Sequence, residues 1–187
     1  MPLASLAAYE ELAARVHSHL CAGQILGLRM ALRGLRLLGI EDPTGVGRQR
    51  LVVFVEIDRC ATDAISLVTG CRLGKRALKF RDFGKAAATF CDLASGRAVR
   101  LAARESARQR AGGPAEQLAA YREMPDDELF TAEWVRVPMP PEDLPGFRAP
   151  RVVCEACGES VSFCREVVRD GRTLCRACAG ERFYEPL

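Results

Sequence analysis

The sequence predicts a domain of mixed helix and strand followed by a small cysteine-held module. Three observations predict it: helical amphipathic spacing over the first 38 residues, an apolar β-branched run at 51–57 with a hairpin pattern after it, and two Cys-x-x-Cys pairs near the C-terminus. The 187 residues are long enough for one full core and an appendage, and 49% apolar with 27% charged content is ordinary for a folded chain. No run of about 18 apolar residues is present to cross a bilayer. Glu10 and Glu11 interrupt the stretch where a secretion signal would carry its apolar segment. The expectation is a cytoplasmic protein with no membrane partner.

The elements follow in order. Leu6, Tyr9, Ala13 and Val16 recur at helical spacing, so residues 5–17 read as an amphipathic helix that delivers His17 at its end. A second helix is expected over 23–38, with Ile25, Leu28, Leu32 and Leu35 on one face and Arg29, Arg33 and Arg36 on another. A Gly-rich loop at 44–47 leads to the run at 51–57, which reads as a strand buried on both faces and central in the sheet. A short helix follows Cys60 and ends at Gly70. Residues 78–83 and a hairpin made of 85–91 and 98–103 supply further strands, 114–124 and 125–130 helices, and 134–137 an edge strand. Pro138, Pro140, Pro141, Pro145 and Pro150 then crowd together. The expected division is a domain at 1–137, a semi-stiff linker at 138–150 and a finger at 151–187.

Cys154-Glu-Ala-Cys157 and Cys175-Arg-Ala-Cys178 stand seventeen residues apart, the spacing of a four-thiolate zinc site. Each Cys-x-x-Cys turn aims two sulfurs at one ion, and four thiolates close its coordination sphere, so this zinc is expected to be structural. About 35 residues cannot build a sufficient core alone, so the metal would supply the folding energy. Cys164 is a spare. The net charge of +3 does not demand a polyanion, and five finger arginines without interleaved aromatics read as a solvated face, so nucleic acid is not the expected partner.

The other cluster is His17-Ser-His19-Leu-Cys21, which holds both histidines of the chain. Imidazole and thiolate suit zinc or another transition metal, yet three ligands leave a tetrahedral shell one short. Cys21 precedes a helix start, where unpaired amides favour a negative sulfur. Cys60 stands at another strand-to-helix join, so His17 or His19 with Cys21 and Cys60 is the simplest ligand set. An incomplete shell is the arrangement of a catalytic or sensing site. Cys21 and Cys60 are also the candidate catalytic residues. A thiol or metal-assisted redox enzyme would use Cys21 with Cys60 or Cys71, and a regulator would use the finger on nucleic acid or polymerase.

Three stretches together resemble the FmdE-like family, named for its link to formylmethanofuran dehydrogenase. They are residues 17–23 with 27–31; residues 60–65 through Cys71-Arg-Leu-Gly-Lys75; and Asp82-Phe-Gly-Lys-Ala86. Two-domain members of that family carry a treble-clef four-cysteine finger, similar also to fingers of DksA/TraR type. The resemblance implies an α+β, thioredoxin-like domain with a mixed, roughly five-stranded sheet flanked by helices. It also implies a dimer and a site where the histidine-cysteine motif and the cysteine matching Cys60 hold zinc. Ala22 stands where the family often has proline, and Arg72 and Arg76 where smaller or polar residues are frequent. The function implied is a metal-binding subunit or accessory protein of a molybdenum or tungsten formylmethanofuran dehydrogenase-type or related anaerobic one-carbon system.

Overall fold

The computed structural model describes residues 3–17, 19–45 and 49–185, so part of the loop expected at 44–47 lies outside the described residues. The chain divides into two compact units, Met1–Pro138 and Met139–Leu187.

The first unit is an α+β domain built around helix α2 (Ala22–Leu38). Ile25, Leu28, Ala31 and Leu35 are fully buried, and the helix packs most extensively on α3 (Cys60–Thr69). It ends where Gly39 takes φ 70°, a left-handed conformation that lets the Gly39 and Ile40 amides close back onto the last turn. Arg29 and Arg33 of α2 are largely covered and pair with Asp126, while Arg36 stays exposed. Arg29 donates to the carbonyls of Tyr121 (2.7 Å) and Met124 (2.5 Å) and to Asp126 Oδ1 (2.6 Å), satisfying the open end of α5 (Pro114–Glu123). Helix α1 (Leu6–His17) buries Ala13, but its last turn outruns the core and leaves Val16 71% exposed.

The sheet has the order β2-β1-β3-β4-β5, with β1 (Leu51–Val55) parallel to β2 (Leu78–Phe80) and the other neighbours antiparallel. The run at 51–57 is therefore not the central strand. That place belongs to β3 (Ala87–Asp92), every residue of which is buried, paired through a tight turn with β4 (Arg97–Ala103). Thr89 and Asp92 break its apolar pattern, so composition points to the wrong strand. Val53, Phe90 and Val99 lie side by side in register and form one layer of the core. At Gly34 a Cβ would come within 2.5 Å of the Phe90 ring, so α2 approaches the sheet at a distance only glycine permits.

Helix α4 (Glu105–Arg110) follows β4, and a single turn, α6 (Asp126–Leu129), runs directly into the edge strand β5 (Phe130–Val135). The edge strand therefore starts four residues before the expected position. Two buried acids are neutralised by arginine. Glu56 is held at both oxygens by Arg100 (2.7 Å each). Asp92 is held by Arg50 (2.7 and 2.6 Å) and by Ser95 Oγ (2.6 Å). Burial alone would raise the Asp92 carboxyl, but the hydrogen bonds from Arg50, Ser95 and the Ala94 amide outweigh it and hold the group down at about 2.

The second unit contains two small hairpins, β6 (Val152–Val153) with β7 (Ser160–Val161) and β8 (Val167–Arg169) with β9 (Arg172–Leu174), then a helical turn at Ala177–Glu181. Its buried apolar core is Cys154, Leu174 and Ala179. The proline-rich segment contributes a turn at Pro141–Asp143, and Arg165 pairs with Asp143.

Candidate functional site

The four cysteines of the second unit converge. The sulfurs of Cys154, Cys157, Cys175 and Cys178 all lie within 4.8 Å of one another. Local geometry explains why. Gly158 at φ 76° lets the chain double back after Cys157, so that the Cys154 amide meets the Glu159 carbonyl at 2.9 Å. The β8–β9 hairpin brings the second pair alongside, with Cys157 and Cys175 sulfurs 3.9 Å apart. Backbone amides point at the sulfurs as well, the Cys178 amide reaching Cys175 Sγ at 3.4 Å. The amides of Cys175, Cys157 and Ala156 hold the Cys154 thiol down at about 6. Cys157 receives the Glu159 amide, which lowers it, yet the neighbouring sulfurs of Cys154, Cys178 and Cys175 push it up to about 12. Four crowded sulfurs resist more than one negative charge until a cation joins them. Donor type, number and convergence all fit a metal such as zinc.

Two of the N-terminal residues, Cys21 and Cys60, are brought together by a different route. Cys21 caps α2: its amide donates to Gln24 Oε1 at 3.0 Å while its sulfur accepts the Gln24 amide, a capping box with cysteine in the serine position. Cys60 opens α3. The two helix starts can meet because Gly27 has no side chain; a Cβ there would lie 2.3 Å from the Ala61 carbonyl oxygen. One turn earlier, a Cβ at Gly23 would sit 3.5 Å from Cys60 Cβ and 3.8 Å from Cys21 Sγ. Cys21 and Cys60 are thus side-chain neighbours. Burial, and after it the hydrogen bond and charge of Cys21, push the Cys60 thiol up.

His17, at the end of α1, donates from Nε2 to Asp63 Oδ2 at 2.8 Å. Asp63 lies three residues beyond Cys60, on the same face of the first turn of α3. A histidine whose Nε2–H is bound by a carboxylate presents Nδ1 as its metal-binding nitrogen, the usual arrangement behind a ligating imidazole. His19 is exposed in the bend between α1 and α2. Among the described residues, the finger quartet is the group of three or more candidate ligands whose atoms all lie within 4.8 Å.

Cys71 is removed from this pair. It is 3% exposed, its thiol donates to the Leu51 carbonyl at 3.6 Å, and burial pushes it up to about 11. The ten residues of α3, about 15 Å of helix, separate it from Cys60, so it is not the redox partner that its sequence position allowed. Cys91 is likewise buried and pushed up to about 12. Sequence reasoning did not single out Gln24. The Cys21-x-x-Gln24 spacing was the available signal for the cap.

Comparison with known proteins places the domain. The family model described as "FmdE, Molybdenum formylmethanofuran dehydrogenase operon" matches residues 16–131. The chain belongs to the FmdE family. Its FmdE segment takes in His17, His19, Cys21, Cys60 and Asp63 and stops before the finger. A relative in Archaeoglobus fulgidus, named a probable S-adenosyl-L-methionine-binding protein, is 32% identical over 196 aligned residues, 89% of this chain and 51% of the relative. The chain therefore spans about half the length of that relative. A solved structure, a tungsten formylmethanofuran dehydrogenase FmdE-like protein from Syntrophus aciditrophicus, superposes with a TM-score of 0.64 at 21% identity. That match covers 97% of this chain and 96% of the other, so the fold extends to both units.

Proposed function

We propose that this FmdE-family chain is a two-site metal protein. A structural zinc sits in the finger, and a second metal, zinc or another transition ion, is held by Cys21, Cys60 and His17, with His19 as the alternative imidazole. The observation that carries the reading is the junction of three elements. Two thiols meet at two helix starts, and α3 supplies the carboxylate that fixes a histidine from α1. Three protein ligands would leave a position for water or substrate, where the metal would act as a Lewis acid or sensing centre. Asp63 fixes the imidazole tautomer, and Gln24 holds Cys21 in place. The family's operon association supports a role as subunit or accessory protein of a molybdenum or tungsten formylmethanofuran dehydrogenase-type or related one-carbon system. We further propose a cytoplasmic homodimer. The ligand in the archaeal relative's name stays with that relative, about half of which lies outside the matched span.

The contact between Cys21 and Cys60 also favours a second reading, a dithiol redox centre using this pair without Cys71. Metal analysis separates the two. The first reading predicts that Cys21→Ser and Cys60→Ser each lose about one metal per chain while the finger metal remains. Unchanged metal content in both variants, with a disulfide between Cys21 and Cys60 in the parent chain after mild oxidation, would replace it with the second.

A further inference from the structure

A cavity of about 380 Å³ opens in the first unit and is lined by none of the residues assigned to metal. Its apolar wall is Leu26, Ile57, Ala86 and Leu129. Its polar wall is Lys85, Arg104, Glu105, Arg108 and the hydroxyl-bearing Tyr121, three cations against one carboxylate. We propose that this cavity binds a small organic anion, with its carboxylate or phosphate group against Lys85, Arg108 and Tyr121 and its apolar body against Leu26, Ile57 and Leu129.

Three observations carry the assignment. First, Tyr121 is 6% exposed, yet among the described residues its hydroxyl has no hydrogen-bond partner within the chain. The ring is buried but the hydroxyl is not among the buried polar atoms left without a partner, so it opens to the cavity, where an entering acceptor can replace water. Burial pushes the pKa of the phenol up, Arg108 acts against that and Glu105 adds to it, so the phenol stays protonated and donates. Second, the cations differ in commitment. Arg104 is anchored by its Nε on the carbonyls of Asp127 and Phe130, and Arg108 is shared with Glu105 at 2.5 to 3.0 Å. Lys85 has no ion pair among the described residues and is the open charge at the rim.

Third, the rim is built in advance. The Phe83 and Lys85 amides both bond to the Glu56 carbonyl (3.2 and 3.1 Å), Gly84 makes the intervening turn at φ 62°, and the Ala103 amide bonds to the Ala86 carbonyl at 2.9 Å. Glu56 is itself locked by Arg100. The Asp82-Phe-Gly-Lys-Ala86 motif, which no metal role explains, thereby has a purpose: it presents Lys85 from a pinned loop. The volume lies in the range of small-molecule sites, and the mixture of apolar wall and few polar groups is their usual make-up. The proposal does not depend on the N-terminal metal.

The test is a two-dimensional NMR titration of the full, metal-loaded chain with benzoate, phenyl phosphate, neutral benzamide and inorganic phosphate. Saturable shifts at the Lys85, Ala86 and Ala103 amides are expected with benzoate or phenyl phosphate, and the stronger of the two identifies the headgroup. Lys85→Met should weaken that binding about tenfold and Tyr121→Phe about threefold. Glu105→Gln should tighten it by releasing Arg108. Lys85 is exposed and Tyr121→Phe is isosteric, so dispersed spectra of both variants will show that they fold. The proposal is overturned if neither anion shifts these amides, if benzamide binds equally well, if Lys85→Met has no effect, or if inorganic phosphate binds as tightly as the aromatic anions.

Discussion

The two cysteine clusters of this chain are made of the same atoms and assembled on opposite principles. In the finger, each pair of sulfurs comes from one Cys-x-x-Cys turn, so local sequence places half of the site and one hairpin places the rest. In the first unit, Cys21 and Cys60 come from two helices, and what brings them together is a close helix contact at Gly27, while His17 from a third helix reaches Asp63. The energetics divide in the same way. The first unit has a continuous core and buried ion pairs of its own, whereas the finger buries three apolar residues and must draw on its metal. A locally encoded site depends on the ion, and a site encoded by tertiary packing depends on the fold.

That contrast can be broken by experiment, and the largest effect is expected in the finger. Cys154→Ser, or strong chelation, should release its metal and unfold residues 139–187 while the first unit keeps its cooperative transition; proteolysis of the two halves reads this directly. Global unfolding of the chain on metal loss would break the comparison. The next largest effect belongs to Glu56→Gln, which takes the carboxylate partner from the half-buried Arg100 and leaves a buried amide in its place. It should cost the first unit about 3 kcal/mol in chemical denaturation and leave finger metal content untouched.

Gly27→Ala should cost about 2 kcal/mol, because the added methyl meets the Ala61 backbone. It should also separate Cys21 from Cys60, seen as loss of any disulfide between them after mild oxidation; an unchanged cross-link would show that the helix contact does not set the pair. The smallest effect is acid-dependent. The Asp92 carboxyl is held at about 2, below its ordinary range, so its contribution of about 2 kcal/mol is present above about pH 4 and is lost as pH falls through about 2. Denaturation curves of the parent should weaken over that window, whereas Asp92→Asn starts weaker and lacks this component.

The same contrast decides what could be read from the sequence. Helices α1 and α2 and the β3–β4 hairpin were legible because period and turn chemistry are local, and the finger quartet because its spacing is stereotyped. The central place of β3 was not, since Asp92, the acid that interrupts its pattern, is satisfied by Arg50 from far off in sequence and by Ser95 in the turn. Helix α4 carries almost no apolar stripe and buries only Ala107 within its length, so nothing in its pattern announces it. Cys21 and Cys60 were legible as one candidate pair; the contact that joins them was not, because glycine's part at position 27 appears only once Ala61 lies against it. Cys71 shows the opposite failure: near Cys60 in sequence, it is carried to the far end of α3.

The central claim is that the chain holds two metals in two independent sites. Cobalt(II) titration of the apo chain, followed by the sulfur-to-metal absorption, tests it most directly. Two binding phases are predicted, one abolished by Cys154→Ser alone and the other by Cys21→Ser alone. A single phase that disappears entirely in Cys154→Ser and is unaffected by Cys21→Ser would contradict the account.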